Sequence, residues 1–174
     1  MSTAIVPDAI VTDLDRLVQR VRSEPNRGDV RYLLGAELAA AGRHELAVAE
    51  MTRAVDLDPT LYTAHFQLGL LHLTSGRPTE ALTAWRGLDA LADADPLRMF
   101  RRGLEALIGE DFAACISWLE SGILANQSNP ALNRDMVMLV DRVRRAGPIA
   151  AQSRPAADAG GVRTDFSLYD PKKT

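Results

Sequence analysis

Histidine and cysteine are the residues best able to bind a metal or attack a substrate, and this chain has few of them: His44, His65, His72 and Cys115. His65 and His72 are seven positions apart on one predicted helix, so they share a face. At about 1.5 Å of rise per residue they stand about 10 Å apart along the axis, too far for one metal ion. His44 falls on a different predicted helix. Cys115 has no neighbouring base to make it a nucleophile, so it reads as a small apolar core residue. Neither a Gly-x-Gly-x-x-Gly fingerprint nor a glycine-rich Lys-Ser/Thr phosphate loop occurs, and the carboxylates are scattered rather than paired. The expectation is therefore no catalytic residue, no metal and no cofactor. Two basic clusters remain, Arg98-Arg101-Arg102 and Arg142-Arg144-Arg145. The second closes a predicted helix, where cations complement the dipole. Both read as solvated faces, with the gripping of an acidic partner as the alternative.

Composition sets wider bounds. The chain has 174 residues, enough to bury a sizeable core, and its length suggests one domain. Aromatics make up only 5% while alanine is abundant, which favours helices packed through small side chains. A net charge of −3 offers no broad footprint for nucleic acid or anionic lipid. A lone cysteine forms no internal disulfide and requires no oxidising compartment. Residues Met1 to Ile10 lack a basic, apolar leader pattern, and Pro7-Asp8 cuts off the short run Ala4-Ile5-Val6. No window approaches the roughly 18 apolar residues of a membrane span. The expected location is cytoplasmic, with neither nucleic acid nor membrane as partner.

What would position these side chains is a repeat. Gly35, Gly69 and Gly103 recur every 34 positions, as do Tyr32, Phe66 and Phe100. The same interval relates Gly42 to Gly76, Ala47 to Ala81 and Cys115, and Pro96 to Pro130. A fixed period of this length marks stacked supersecondary units. Each unit reads as two helices and a turn. Asp29 to Ala41 and His44 to Leu57 form the first, with Gly42-Arg43 between them and Asp58-Pro59 at the end. Tyr62 to Ser75 opens the second, and Gly76-Arg77-Pro78 suits a left-handed helix end followed by a fresh start. Asp95-Pro96 opens the third unit, which turns at Gly109-Glu110-Asp111 and runs to about Asn126. Asn129-Pro130 begins a further helix to Arg145.

These residues resemble the tetratricopeptide repeat. Unit one supplies Leu34-Gly35, Gly42, Ala47, Ala54 and Asp58-Pro59; unit two supplies Leu68-Gly69, Gly76, Ala81 and Trp85; unit three supplies Gly103, Phe112 and Cys115. The third departs from the pattern at Arg102 and Gly122, and the family's first-helix tryptophan is replaced throughout, by Arg31, His65 and Met99. The resemblance covers Gly28 to about Arg145. It implies an all-α fold, a right-handed superhelix of stacked antiparallel helix hairpins. On that frame residues 1–27 form an N-terminal capping helix, 28–61, 62–95 and 96–129 three repeats, 130–146 a C-terminal capping helix and 147–174 a flexible tail. Val11, Leu14, Leu17, Val18 and Val21 would pack the first cap. Met136, Val137, Leu139, Val140 and Val143 would pack the second, with Asp135, Asp141, Arg142 and Arg144 facing water.

The resemblance also implies a function, that of a protein-binding module. First helices of such arrays line a concave groove, which here would be formed by Tyr32 and Ala36, by Phe66, Leu70 and Leu73, and by Phe100, Leu104 and Leu107. Arg134 and Met138 of the capping helix would add to it. Such a lining suits an apolar peptide or amphipathic helix held by an adaptor or chaperone-like scaffold. The same aromatics could instead pack between hairpins. An exposed groove implies a ligand, a homodimer contact or the chain's own tail, in which Phe166, Leu168 and Tyr169 form a candidate docking motif. The alternative role is a structural subunit that self-assembles or is built into a larger complex.

Overall fold

Residues 12–152 are described by the computed structural model, with side chains described as far as 146. All its regular structure is helical, with no strand among the described residues. Where length suggested one domain, the contacts divide the chain between Leu61 and Tyr62 into two compact units. That division falls on the boundary between the first and second 34-residue repeats.

Unit 1 holds helices α1 (Asp13–Ser23), α2 (Gly28–Ala40) and α3 (His44–Leu57). The α1 start is set by a capping box: the Asp15 amide donates to the Thr12 hydroxyl, and the Thr12 amide donates to the Asp15 carboxylate at 3.0 Å. The Thr12 hydroxyl also donates to that carboxylate at 2.7 Å, and this bond, together with the one from the Thr12 amide, holds the Asp15 carboxyl below the usual carboxylate range. Asp13 and Asp15 in the first turn and Arg20 and Arg22 in the last complement the helix dipole. The apolar residues Leu14, Leu17, Val18 and Val21 are all half-buried, and α1 contacts α2; Val11 lies outside the described residues. The α2–α3 pair buries Val30, Leu34, Leu38, Ala47, Met51 and Ala54.

Unit 2 holds α4 (Tyr62–Thr74), α5 (Pro78–Ala84), a 3-10 helix (Trp85–Ala90), α6 (Pro96–Ile108), α7 (Phe112–Ala125) and α8 (Pro130–Gln152). One continuous core runs from Phe66 through Trp85, Phe100, Leu104 and Leu119 to Val143. The second helix of the middle repeat is thus broken. Its counterparts α3 and α7 each run 14 residues without interruption. α8 continues to Gln152 rather than ending near Arg145, so the helix extends past the expected cap and into the segment read as a tail. Pro148 removes one backbone donor there, but Ile149, Ala150 and Ala151 are compatible with helix. Val137, expected to pack on the last repeat, is exposed, because the buried stripe is Met136, Leu139, Val140 and Val143. Asp135, expected to face water, is half-buried, and burial raises its carboxyl pKa against the opposing effect of Arg134.

A Cβ on Gly35 would lie 2.7 Å from Met51 Cγ, one on Gly69 2.0 Å from Trp85 Nε1, and one on Gly103 2.7 Å from Leu119. In each hairpin the glycine of the first helix thus receives a bulky side chain from the second. Turns follow the same period. Gly42 and Gly76 take φ of 74° and 72°, and the equivalent place in the third hairpin is held by Glu110 at 60°. A side chain in the left-handed region costs roughly 1–2 kcal/mol, whereas glycine adopts it freely. Glu110→Gly is therefore expected to raise stability by about 0.5–1 kcal/mol, the glycine's extra unfolded-state entropy offsetting part of the gain. Thermal melting of the variant checks this.

Candidate functional site

The 34-residue register places the expected groove residues in three columns: Tyr32, Phe66 and Phe100; Ala36, Leu70 and Leu104; Ala39, Leu73 and Leu107. In unit 2 all six members are buried in the core. Phe66, Leu70, Leu73, Phe100, Leu104 and Leu107 thus do not line an open groove, and that expectation is corrected. The reason lies in packing. The Phe66 and Phe100 rings sit 6.2 Å apart at a 48° tilt, and Phe100 fills the space over Gly122, whose added Cβ would come within 2.5 Å of the ring. Gly122, which reads as a departure from the repeat pattern, is therefore the seat of a ring.

Unit 1 differs. Tyr32, Ala36 and Ala39 on α2 are all half-buried, Ala40 is exposed, and Leu33 beside them is 44% exposed. Partial burial raises the Tyr32 phenol pKa. The columns that are closed in unit 2 are partly open here, and smaller side chains line them. On α8, Arg134 is exposed and Met138 half-buried. The motif Phe166, Leu168 and Tyr169 lies outside the described residues.

The chemistry-bearing residues serve the hairpins. Arg31 is buried on α2, where its Nη1 donates to Glu50 Oε2 of α3 at 2.7 Å and its Nε to the Pro25 carbonyl at 2.9 Å. His65 is its counterpart on α4; its Nδ1 lies 3.0 Å from the Ala84 carbonyl and therefore carries the proton. Among the described residues, His65 Nε2 is buried without a hydrogen-bond partner. The ring occupies the space beside Gly87, where an added Cβ would come within 2.4 Å of it. Trp85 Nε1 donates to the Phe66 carbonyl at 3.1 Å, which ties the same two segments together. Arg31 and His65, 34 residues apart, each fasten first helix to second by polar contacts. Their 34-residue separation was visible in the sequence; their partners were not.

Cys115 is buried in the core, and burial, reinforced by Asp111, pushes its thiol pKa up to about 12. It is a neutral packing residue at physiological pH. Among the described residues, no group of three or more His, Cys, Asp or Glu side chains is placed to hold a metal ion. None of the described helices is long and apolar enough to cross a membrane.

The first arginine cluster is not a bare basic face. Arg98 donates to the Asp89 and Leu91 carbonyls and lies 3.3 Å from the Asp93 carboxylate. Arg101 pairs with Asp89 and, at 2.6 Å, with Glu105. Arg102 reaches Asp93 at 2.6 Å and lies 4.8 Å from the centre of the Trp118 ring. From the second cluster, Arg144 pairs with Glu120 of α7 at 2.5 Å. A cavity of about 190 Å³ opens where α4, α6 and α8 begin, beside Thr63, Leu97 and Leu132. Its polar side chains are engaged in local bonds: Asp95 caps α6, Asn129 accepts from the Leu132 amide, and Asn126 bonds Asn133. Compared with known proteins, the chain matches no family model, no curated sequence and no solved structure.

Proposed function

We propose that this chain is a tetratricopeptide-like scaffold of stacked helix hairpins that binds an apolar segment of a partner protein. The stacking into a right-handed superhelix belongs to the same proposal. It is supported by the 34-residue register and by the glycine seat repeated in all three hairpins. The single observation that carries the binding role is the half-open stripe of α2. Tyr32, Ala36 and Ala39 are half-buried where their counterparts in unit 2 are buried, and Leu33 extends that apolar surface. An amphipathic helix or extended apolar segment would bury it, Tyr32 contributing ring area and a polar tip.

Ala36→Glu places a charge on this stripe at a position the fold does not need closed. The variant is expected to keep its helicity and melting temperature while losing at least tenfold in partner capture, measured by affinity isolation with quantitative mass spectrometry. Capture unchanged by the substitution would refute the stripe as the binding surface. A second reading, assembly with copies of itself, is favoured by Leu124 on α7, which is 82% exposed, and by exposed Val137 on α8. Sedimentation of the purified chain over a concentration series separates this from the adaptor role, which predicts a monomer.

A further inference from the structure

The middle repeat is the one whose second helix breaks, and the break coincides with the arginines of α6. From Trp85 to Ala90 the backbone is a 3-10 helix, and the Leu91 amide closes it on the Leu88 carbonyl at 3.1 Å. A run of six residues is long for this conformation, whose hydrogen bonds are poorer than those of an α-helix. Its counterparts in α3 and α7 remain α-helical to the end. The chain thus contains, twice over, the conformation that this segment does not adopt.

Apolar contacts anchor the segment through Trp85 and Leu88, both fully buried. Its far end is held by charge. Arg101 pairs with Asp89, Arg98 caps the Asp89 and Leu91 carbonyls, and Arg98 and Arg102 converge on Asp93. These contacts depend on the winding. A 3-10 helix turns about 120° per residue and rises about 2.0 Å, against about 100° and 1.5 Å for an α-helix. Rewinding Trp85–Ala90 as α-helix would shorten it by about 3 Å and swing Asp89 away from α6. The clamp and the 3-10 winding therefore require each other.

We infer that Trp85–Ala90, with the turn that follows it to Asp95, is a two-state strap, its 3-10 winding kept by the arginines of α6 and released to a continuous α-helix when those ion pairs are weakened. The acidic partners face solvent: the side chains of Asp89 and Asp93 are 60% and 74% exposed. Salt screens such pairs, and a basic segment of another protein would compete for the two carboxylates. Release would alter how Leu88 and Leu91 meet the unit 2 core, so that surface charge is read out as packing.

Asp89→Asn with Asp93→Asn removes the two carboxylates and leaves the buried anchors untouched. Couplings transmitted across hydrogen bonds in nuclear magnetic resonance identify the acceptor of the Leu91 amide. In the unsubstituted chain at low salt the acceptor is expected to be Leu88. In the double variant, and in the unsubstituted chain at molar sodium chloride, it is expected to pass to Gly87, the α-helical partner. If Leu91 still couples to Leu88 under both conditions, the strap is not set by charge and the inference fails. Loss of both couplings with rapid amide exchange from residue 85 to 95 also overturns it, because the clamp would then prevent unfolding rather than choose between helices.

Discussion

Truncating Phe100 to alanine lowers the free energy of unfolding by about 3–5 kcal/mol, the range for deleting a fully buried aromatic ring. The ring is completely enclosed in unit 2, lies against Phe66 and fills the space above Gly122. Its removal leaves a cavity that the glycine on α7, with no side chain, cannot refill. Domains of this size are stable by only about 5–15 kcal/mol, so the variant should melt far below the parent or fail to accumulate. The equivalent truncation in unit 1, Tyr32→Ala, removes a half-open ring and is expected to cost about 1 kcal/mol. Chemical denaturation of the two variants measures the contrast. Equal costs would mean that the column at positions 32, 66 and 100 has one environment throughout, contrary to the burial of its three members.

Gly69→Ala should be the most damaging single methyl in the chain. The added Cβ would stand 2.0 Å from Trp85 Nε1, and the indole has nowhere to retreat, being fully buried and bonded to the Phe66 carbonyl. Overpacking of a rigid core side chain costs about 1–3 kcal/mol, and breaking the indole hydrogen bond adds about 1 kcal/mol. Alanine returns up to about 1 kcal/mol in helix propensity, so a net loss of about 1–3 kcal/mol is expected. At Gly35 and Gly103 the nearest obstructing atoms, at 2.7 Å, belong to Met51 and Leu119, buried aliphatic chains less rigid than the indole, with the Ala47 and Cys115 carbonyls at 3.3 and 3.2 Å. Those substitutions should cost about 1 kcal/mol or less once the propensity gain is counted. The order of melting temperatures, with Gly69→Ala lowest, follows from the stiffness of the opposing side chain rather than from the glycine itself.

Much of the local fold was legible because the hairpins repeat. The helix from His44 to Leu57 coincides with its expected bounds, α4 and α6 begin at Tyr62 and Pro96 as read, and each of the three glycines leaves room for a side chain of the following helix. Burial of each apolar stripe was not legible. Helical spacing shows that Phe66, Leu70 and Leu73 share a face, but an open groove and a closed core impose the same spacing. The 3-10 segment escaped for a related reason. Nothing in Trp85-Arg86-Gly87-Leu88 forbids an α-helix, and the ion pairs that favour the alternative come from α6, five to twelve residues beyond the carboxylates they hold. Glu110 was read as part of a turn, yet its left-handed backbone has no sequence signal of the kind glycine supplies at positions 42 and 76. At α8 the helix was expected to end near Arg145, with a flexible tail from 147, but the backbone stays helical to Gln152.

The most direct test of the scaffold reading is site-specific photo-crosslinking from two exposed leucines, 33 on α2 and 124 on α7, in cells producing the full chain. The reading predicts that a photoreactive residue at position 33 gives discrete adducts with another polypeptide, and that one at position 124 gives none. Adducts confined to position 124, or adducts only with further copies of this chain, would contradict it.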